Sequence, residues 1–120
     1  MKMINRVFTK FSYAFKGLKI AIITDNSFKI HFIFVLPIIT SGFFLRFTQF
    51  EWIIICLSIG IVLISELFNT AIEYTVKMFT DEYHEQAEKL LDISAGAVLM
   101  SAILAFILAL FIYIPHIGPI

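Results

Sequence analysis

Glu66, Asn69 and Glu73 stand at i, i+3 and i+7, with Lys77 four residues further on. At about 100° per residue a helix carries all four on one face. The uncharged run from Trp52 to Ser65 leads directly into this stripe, so the two acids sit where an apolar segment ends. A carboxylate near a bilayer is costly unless it faces a cavity, a partner or an ion. The bland alternative pairs Glu66 and Glu73 with Lys77 or with basic residues near the N-terminus, but intramembrane acids point first to function. Together with Asp25, the stripe offers the hard oxygen ligands that Mg²⁺ takes alongside substrate phosphates.

Other chemistries find no support. His31, His84 and His116 are dispersed, and the residue four beyond His84 is Glu88, so His84-Glu85 does not open a metalloprotease motif. No GxxxxGK[ST] and no glycine-rich kinase loop occurs, so a nucleotide site here needs another architecture. A single cysteine, Cys56, excludes a disulfide within the chain and a cysteine-rich zinc site. Nine basic residues balance nine acidic ones, which gives no indication of nucleic-acid binding.

The elements that must carry these residues follow from composition. Of 120 residues 60% are hydrophobic and 15% charged, and the mean hydropathy is +0.94. Water-soluble domains run about 45–50% apolar and 25% charged, and so small a body has no interior large enough for the excess. The sequence predicts an all-α membrane protein, a single integral-membrane domain over 1–120. Ile4, Val7, Phe8, Phe11, Phe15, Leu18 and Ile22 recur at helical spacing opposite Lys2, Arg6, Lys10 and Tyr13, which predicts an amphipathic helix over about 4–23 lying on the membrane surface. No apolar h-region with a cleavage site marks a signal peptide. Three spans follow at about 28–47, with Pro37 inside and expected to kink it, 52–79 and 92–114, the last two separated by a polar linker, Thr80–Asp92. Six of the nine basic residues lie at or before Lys29, so the positive-inside rule puts the N-terminus in the cytoplasm and, after three spans, the C-terminus outside. The chain is then a multi-pass protein of the cell membrane, with its polar residues on the cytoplasmic side. Ala97, Ser101, Ala105 and Ala109 form a small-residue ladder that admits another helix, from a second copy or from the same chain.

Three ordered blocks resemble one family. Glu66-Leu-Phe-Asn-Thr-Ala-Ile-Glu73, Asp81-Glu-Tyr-His84 and Asp92-Ile-Ser-Ala-Gly-Ala-Val-Leu99 are similar to the signature of the small prokaryotic integral-membrane diacylglycerol and undecaprenol kinases. Tyr13-Ala-Phe-Lys-Gly17 and the acid before the first span extend the resemblance over nearly the whole chain. It implies a homotrimer with active sites between neighbouring subunits, transferring the γ-phosphoryl of ATP to a lipid hydroxyl with Mg²⁺. By position, the resemblance makes Glu66 the general base that meets the lipid substrate, and Asp25 with Glu73 the metal ligands. It assigns Arg6, Tyr13, Asp25, Glu73, Glu82, Tyr83, His84 and Asp92 to ATP, with Asn69 lining the site.

This chain departs from the family pattern at two positions. Lys77 stands where an aspartate is usual, and Leu91 where a lysine meets the ATP phosphates. Lys77, one turn from Glu73, is the first candidate to replace that cation, with snorkelling to the interface as its bland alternative; Lys89 ranks second. The 95–99 block and Ile112-Tyr-Ile-Pro-His116 look like the Gram-positive-type members, which favours undecaprenol over diacylglycerol as substrate. The rival readings are a diacylglycerol kinase making phosphatidic acid, a catalytically impaired trimer, and, last, a small transporter lined by the acids.

Overall fold

The computed structural model describes residues 2–118. Among them four helices follow in order: α1 (Lys2–Thr24), α2 (Asn26–Leu45), α3 (Gln49–Phe79) and α4 (Glu85–Ile117). The last three are each long and apolar enough to cross a membrane. In hydrocarbon every backbone polar group must be satisfied within the chain, so such segments are held helical. α2 has 20 residues and α3 and α4 have 31 and 33. At 1.5 Å per residue α2 matches a hydrocarbon core of about 30 Å, while α3 and α4 overshoot it by several turns. Most of the charged residues of both helices gather at their shared end, around Thr80.

Caps fix the helix boundaries. Asp25 accepts the Ser27 N–H at the start of α2. Thr48 and Glu51 exchange bonds at the start of α3, Glu51 N–H to the Thr48 hydroxyl and Thr48 N–H to Glu51 Oε1, a reciprocal box that satisfies two otherwise orphan donors. α2 stops at Leu45 because Arg46 turns left-handed, at φ 57°, and returns its N–H to the Gly42 carbonyl. The expected polar linker is shorter than Thr80–Asp92, since α4 already begins at Glu85. There the His84 ring accepts the Gln86 N–H at 3.2 Å, and Glu85 and Glu88 lie in the first turn, where acids complement the positive end of the helix dipole. α2 runs through Pro37 as one helix.

An aromatic knot closes the end where α2 turns into α3. Phe47, Ile55 and Ile112 form its buried centre. Phe47 packs edge-on to Trp52 and Tyr113, with ring centroids 5.4 and 5.3 Å apart. Two polar clasps join helices there: the Tyr113 hydroxyl meets Ser41, tying α4 to α2, and His116 Nε2 meets Glu51 Oε2 at 2.8 Å, tying α4 to α3. Elsewhere the spans present large apolar side chains outward, as lipid-facing helices must. Along α4, Ala97 and Ser101 line a cleft against α3, while Ala105 and Ala109 line a cavity shared with α2 and α3. α1 buries only Ala21.

Gly42 belongs to the knot. A Cβ there would lie 2.5 Å from Trp52 Cη2 and 2.8 Å from Phe47 Cδ2, and two interlocked rings have little room to yield. Gly42→Ala is expected to destabilise the protein by about 1–3 kcal/mol through overpacking. The check is detergent unfolding followed by the fluorescence of Trp52, the sole tryptophan.

Candidate functional site

At the opposite end, beginning inside the span, polar side chains from α2, α3 and α4 converge. Glu66 is 5% exposed, and its Oε1 lies 3.2 Å from His31 Nε2 on α2. Its Oε2 is buried without a hydrogen-bond partner. One turn along α3, the Thr70 hydroxyl lies 2.6 Å from Asp25 Oδ2 and 2.9 Å from the Glu66 carbonyl. Beside Thr70, Asn69 donates to Glu73 Oε1, one turn on, at 2.8 Å while its own carbonyl accepts from Ser94 of α4 at 2.7 Å. The stripe of Glu66, Asn69 and Glu73 is thus held from both sides, by α2 at Glu66 and by α4 at Asn69. Lys77 pairs with neither acid; its ammonium lies 5.9 Å from the centre of the Tyr74 ring.

Asp25 is the joint between α1 and α2. Its N–H donates to the Ala21 carbonyl, its side chain caps α2, and it accepts from Thr70. Partial burial pushes its carboxyl pKa up, but the bonds from Thr70 and Ser27 outweigh this and hold it below the usual aspartate value. Phe28, 2% exposed, anchors the same corner. Tyr74 donates to the Thr24 hydroxyl at 3.2 Å, bringing the end of α1 to α3.

A second group surrounds a cavity of about 340 Å³ at the α3–α4 connection. Lys77, Glu82, Tyr83, His84, Leu91 and Asp92 all line it. The sequence-predicted residues of this loop therefore meet around one space, and Lys77 reaches the same cavity as Leu91. Lys89 instead pairs with Glu85 at 3.6 Å on the exposed face of α4. The Tyr83 hydroxyl donates to Glu88 at 2.6 Å, which raises its pKa above that of a free phenol. Arg6 and Tyr13 are exposed on α1 and make no side-chain hydrogen bond or ion pair among the described residues; the chain does not bring them to this cavity.

His31, Thr70 and Ser94 are the members that sequence reasoning missed. His31 lies six residues after Asp25, on the side of α2 that also carries Phe28, and Thr70 falls between Asn69 and Glu73 on the buried side of α3. Their positions on the faces already carrying Asp25 and Glu66 were the available signal.

Asp25 and Glu73 are hard oxygen donors from different segments, each oriented by neutral donors and neither neutralised by a cation. No three or more His, Cys, Asp or Glu side chains gather into a metal-binding cluster among the described residues. Carboxylates are the donor type that Mg²⁺ takes, keeping waters and borrowing phosphate oxygens instead of requiring a full protein cage.

Comparison with known proteins decides the family. The family profile described as prokaryotic diacylglycerol kinase matches residues 12–113. The chain belongs to that family. Its relatives are lipid kinases by name: it is 37% identical to the undecaprenol kinase of Bacillus subtilis over 93% of this chain and 91% of that protein. It is 37% identical to a diacylglycerol kinase of Synechocystis, over 81% of this chain and 56% of the other. To the diacylglycerol kinase of Escherichia coli K12 it is 29% identical, over 95% and 93% of the two chains. The resemblance seen in the three sequence blocks is therefore a family relationship, and the chain is a multi-pass membrane member of a lipid-kinase family.

The Thr70 bond to the Asp25 carboxylate is expected to be worth about 1–2 kcal/mol, and Thr70→Val removes it while keeping the shape. Because Asp25 is held below its ordinary pKa, this contribution is full above the unfolded aspartate value and disappears as pH falls through the folded one. The stability gap between wild type and Thr70→Val, measured by detergent unfolding, should be present at neutral pH and narrow in acid as Asp25 takes up its proton.

Proposed function

We propose that the chain transfers the γ-phosphoryl group of ATP to the primary hydroxyl of a membrane lipid alcohol, with undecaprenol the first substrate. The observation that carries this reading is the buried Glu66 carboxylate, anchored through one oxygen and free at the other. A free carboxylate oxygen at the polar end of an apolar bundle suits a general base acting on a hydroxyl delivered from the lipid. In the proposed step Oε2 takes the hydroxyl proton, the lipid oxygen forms its bond to the γ-phosphorus, and the bond to ADP breaks. Phosphoryl transfer asks a protein chiefly to position groups and to stabilise charge.

Asp25 and Glu73 are the residues proposed to hold Mg²⁺. When bound, the ion neutralises charge on the phosphates. The nucleotide is assigned to the cavity at the α3–α4 connection, with Glu82, Tyr83, His84 and Asp92 around it and Lys77 as its cation in place of the absent lysine at Leu91; the shared lining of that cavity supports this assignment. Asn69, fixed by Ser94, orients Glu73. Arg6 and Tyr13 complete the nucleotide site from a neighbouring copy in a homotrimer, a reading supported by their exposure and by their separation from the cavity of their own chain. The chain acts as one domain, with α1 on the cytoplasmic surface, the site facing the cytoplasm and the C-terminus outside, on the strength of the basic residues up to Lys29.

Undecaprenol is placed first because the Bacillus relative matches nearly end to end. Diacylglycerol is the second reading, favoured by the names of the Synechocystis and Escherichia relatives.

The test is transfer of label from γ-labelled ATP, with Mg²⁺, to undecaprenol and separately to diacylglycerol in mixed micelles. Labelled undecaprenyl phosphate is expected, with Glu66→Ala lower by about 100-fold or more, the scale of a lost general base. Preference for diacylglycerol reverses the order of substrates, and no labelled lipid from either overturns the kinase reading in favour of an impaired member. In the same assay Lys77→Ala should turn over several-fold more slowly than wild type; equal or faster turnover removes Lys77 from the phosphate site.

A further inference from the structure

We infer that His31 is a positioning residue for Glu66: its Nε2–H fixes Oε1 so that the other oxygen stays free and aimed at the acceptor hydroxyl. The inference rests on the assignment of Glu66 as the base and adds the residue that makes that base directional.

Two observations carry it. A carboxylate buried only for structural reasons is normally hydrogen-bonded at both oxygens, because an unpartnered buried acceptor is costly. The Glu66 side chain is 6% exposed, yet only Oε1 is engaged, by His31 at 3.2 Å, and Oε2 has no partner. The His31 ring also lines a narrow cavity of about 110 Å³ whose walls include Phe34, Val35, Ile38, Val62 and Leu63. Apart from His31, the one polar residue in that wall is Ser58, whose hydroxyl is already bonded to the Ile54 carbonyl. His31 therefore stands between the carboxylate and an apolar slot of the kind a hydrocarbon chain fills. A lipid alcohol whose chain enters the slot brings its hydroxyl to the His31–Glu66 pair.

A rotating carboxylate would present either oxygen, at variable angles, to the hydroxyl. One donor on Oε1 removes that freedom, and the orientation of a catalytic group governs rate more than binding. His31 is thus expected to act on turnover and to leave the affinity for ATP alone.

The test compares His31→Gln, His31→Asn and His31→Leu in the labelled-phosphate assay. Gln carries an amide N–H at about the reach of Nε2, Asn carries the same group one bond shorter, and Leu carries none. His31→Leu and His31→Asn are expected to lower kcat about tenfold or more, the order seen when a group that orients a reacting ligand is removed, with KM for ATP unchanged. His31→Gln is expected to recover most of that loss. Helix content and unfolding midpoint in detergent identify any variant that fails to fold; if Leu does, the Gln and Asn pair alone decides. Wild-type kcat in Asn and Leu, or equal loss in Gln and Asn, overturns the inference while leaving the kinase reading intact. A wild-type protein that labels no lipid alcohol overturns the kinase reading instead.

Discussion

Everything at the polar end of this fold depends on keeping the Glu66 carboxylate inside an apolar bundle. A charge at that depth is expensive unless it is hydrogen-bonded or paired, and the surrounding structure answers through specific neighbours. His31 from α2 takes Oε1, while the single hydroxyl proton of Thr70 is shared between the Glu66 carbonyl and the Asp25 carboxylate. Through this chain the joint between α1 and α2, the first turns of α2 and the stripe of α3 become one unit. Ser94 and Asn69 add α4 on the other side. Three transmembrane helices that touch mostly through apolar side chains thereby gain directional contacts, which lipid-like packing alone does not supply.

The polar end can be this exacting because the other end sets the register. The left-handed turn at Arg46, the reciprocal cap of Thr48 and Glu51, and the rings around Phe47 fix where α2 hands over to α3. From that fixed point, helical rise determines how deep His31 and Glu66 lie. Insertion of one residue within α3 between Glu51 and Glu66 would turn Glu66 by about 100° relative to the aromatic knot and part the pair. α3 and α4 are longer than a hydrocarbon core requires, and that length accommodates Lys77, Tyr83 and Asp92 near the connection between them. The two groups of residues are separated along α3 according to the solvent each requires.

Much of this was legible in the sequence. The three spans, the shared face of Glu66, Asn69 and Glu73, and the family follow from hydropathy, spacing and ordered blocks. The partners of those acids did not, for a physical reason: a histidine or threonine inside an apolar span has no local pattern that names its partner on another helix. His31 looked dispersed beside His84 and His116, and only the packing of α2 on α3 brings it to Glu66. The start of α4 was missed because Glu85, Gln86, Glu88 and Lys89 read as a polar linker. Beyond the membrane such residues form a solvated helical turn, held by the His84 cap and the Glu85–Lys89 pair. The small-residue ladder had two readings, and its residues line open clefts beside α2 and α3, an arrangement compatible with either.

The arrangement around Glu66 also shows a conflict between stability and chemistry being settled locally. A second donor on Oε2 would remove an unpartnered buried atom and stabilise the fold, yet it would occupy the oxygen that a base needs. Removing the donor on Oε1 would leave both oxygens free, at the cost of an unanchored charge in a low-dielectric setting. One donor, supplied by a different helix, is the compromise that holds the carboxylate without silencing it. Asp25 differs because it sits at a helix start: it accepts from both Ser27 and Thr70, which favours its ionised form, as the metal-holding role proposed for it requires. Thr70 lies between the two acids, against the Glu66 carbonyl and the Asp25 carboxylate, and their different hydrogen-bond environments suit them to the different tasks proposed for them, one to accept a proton and the other to remain an anion.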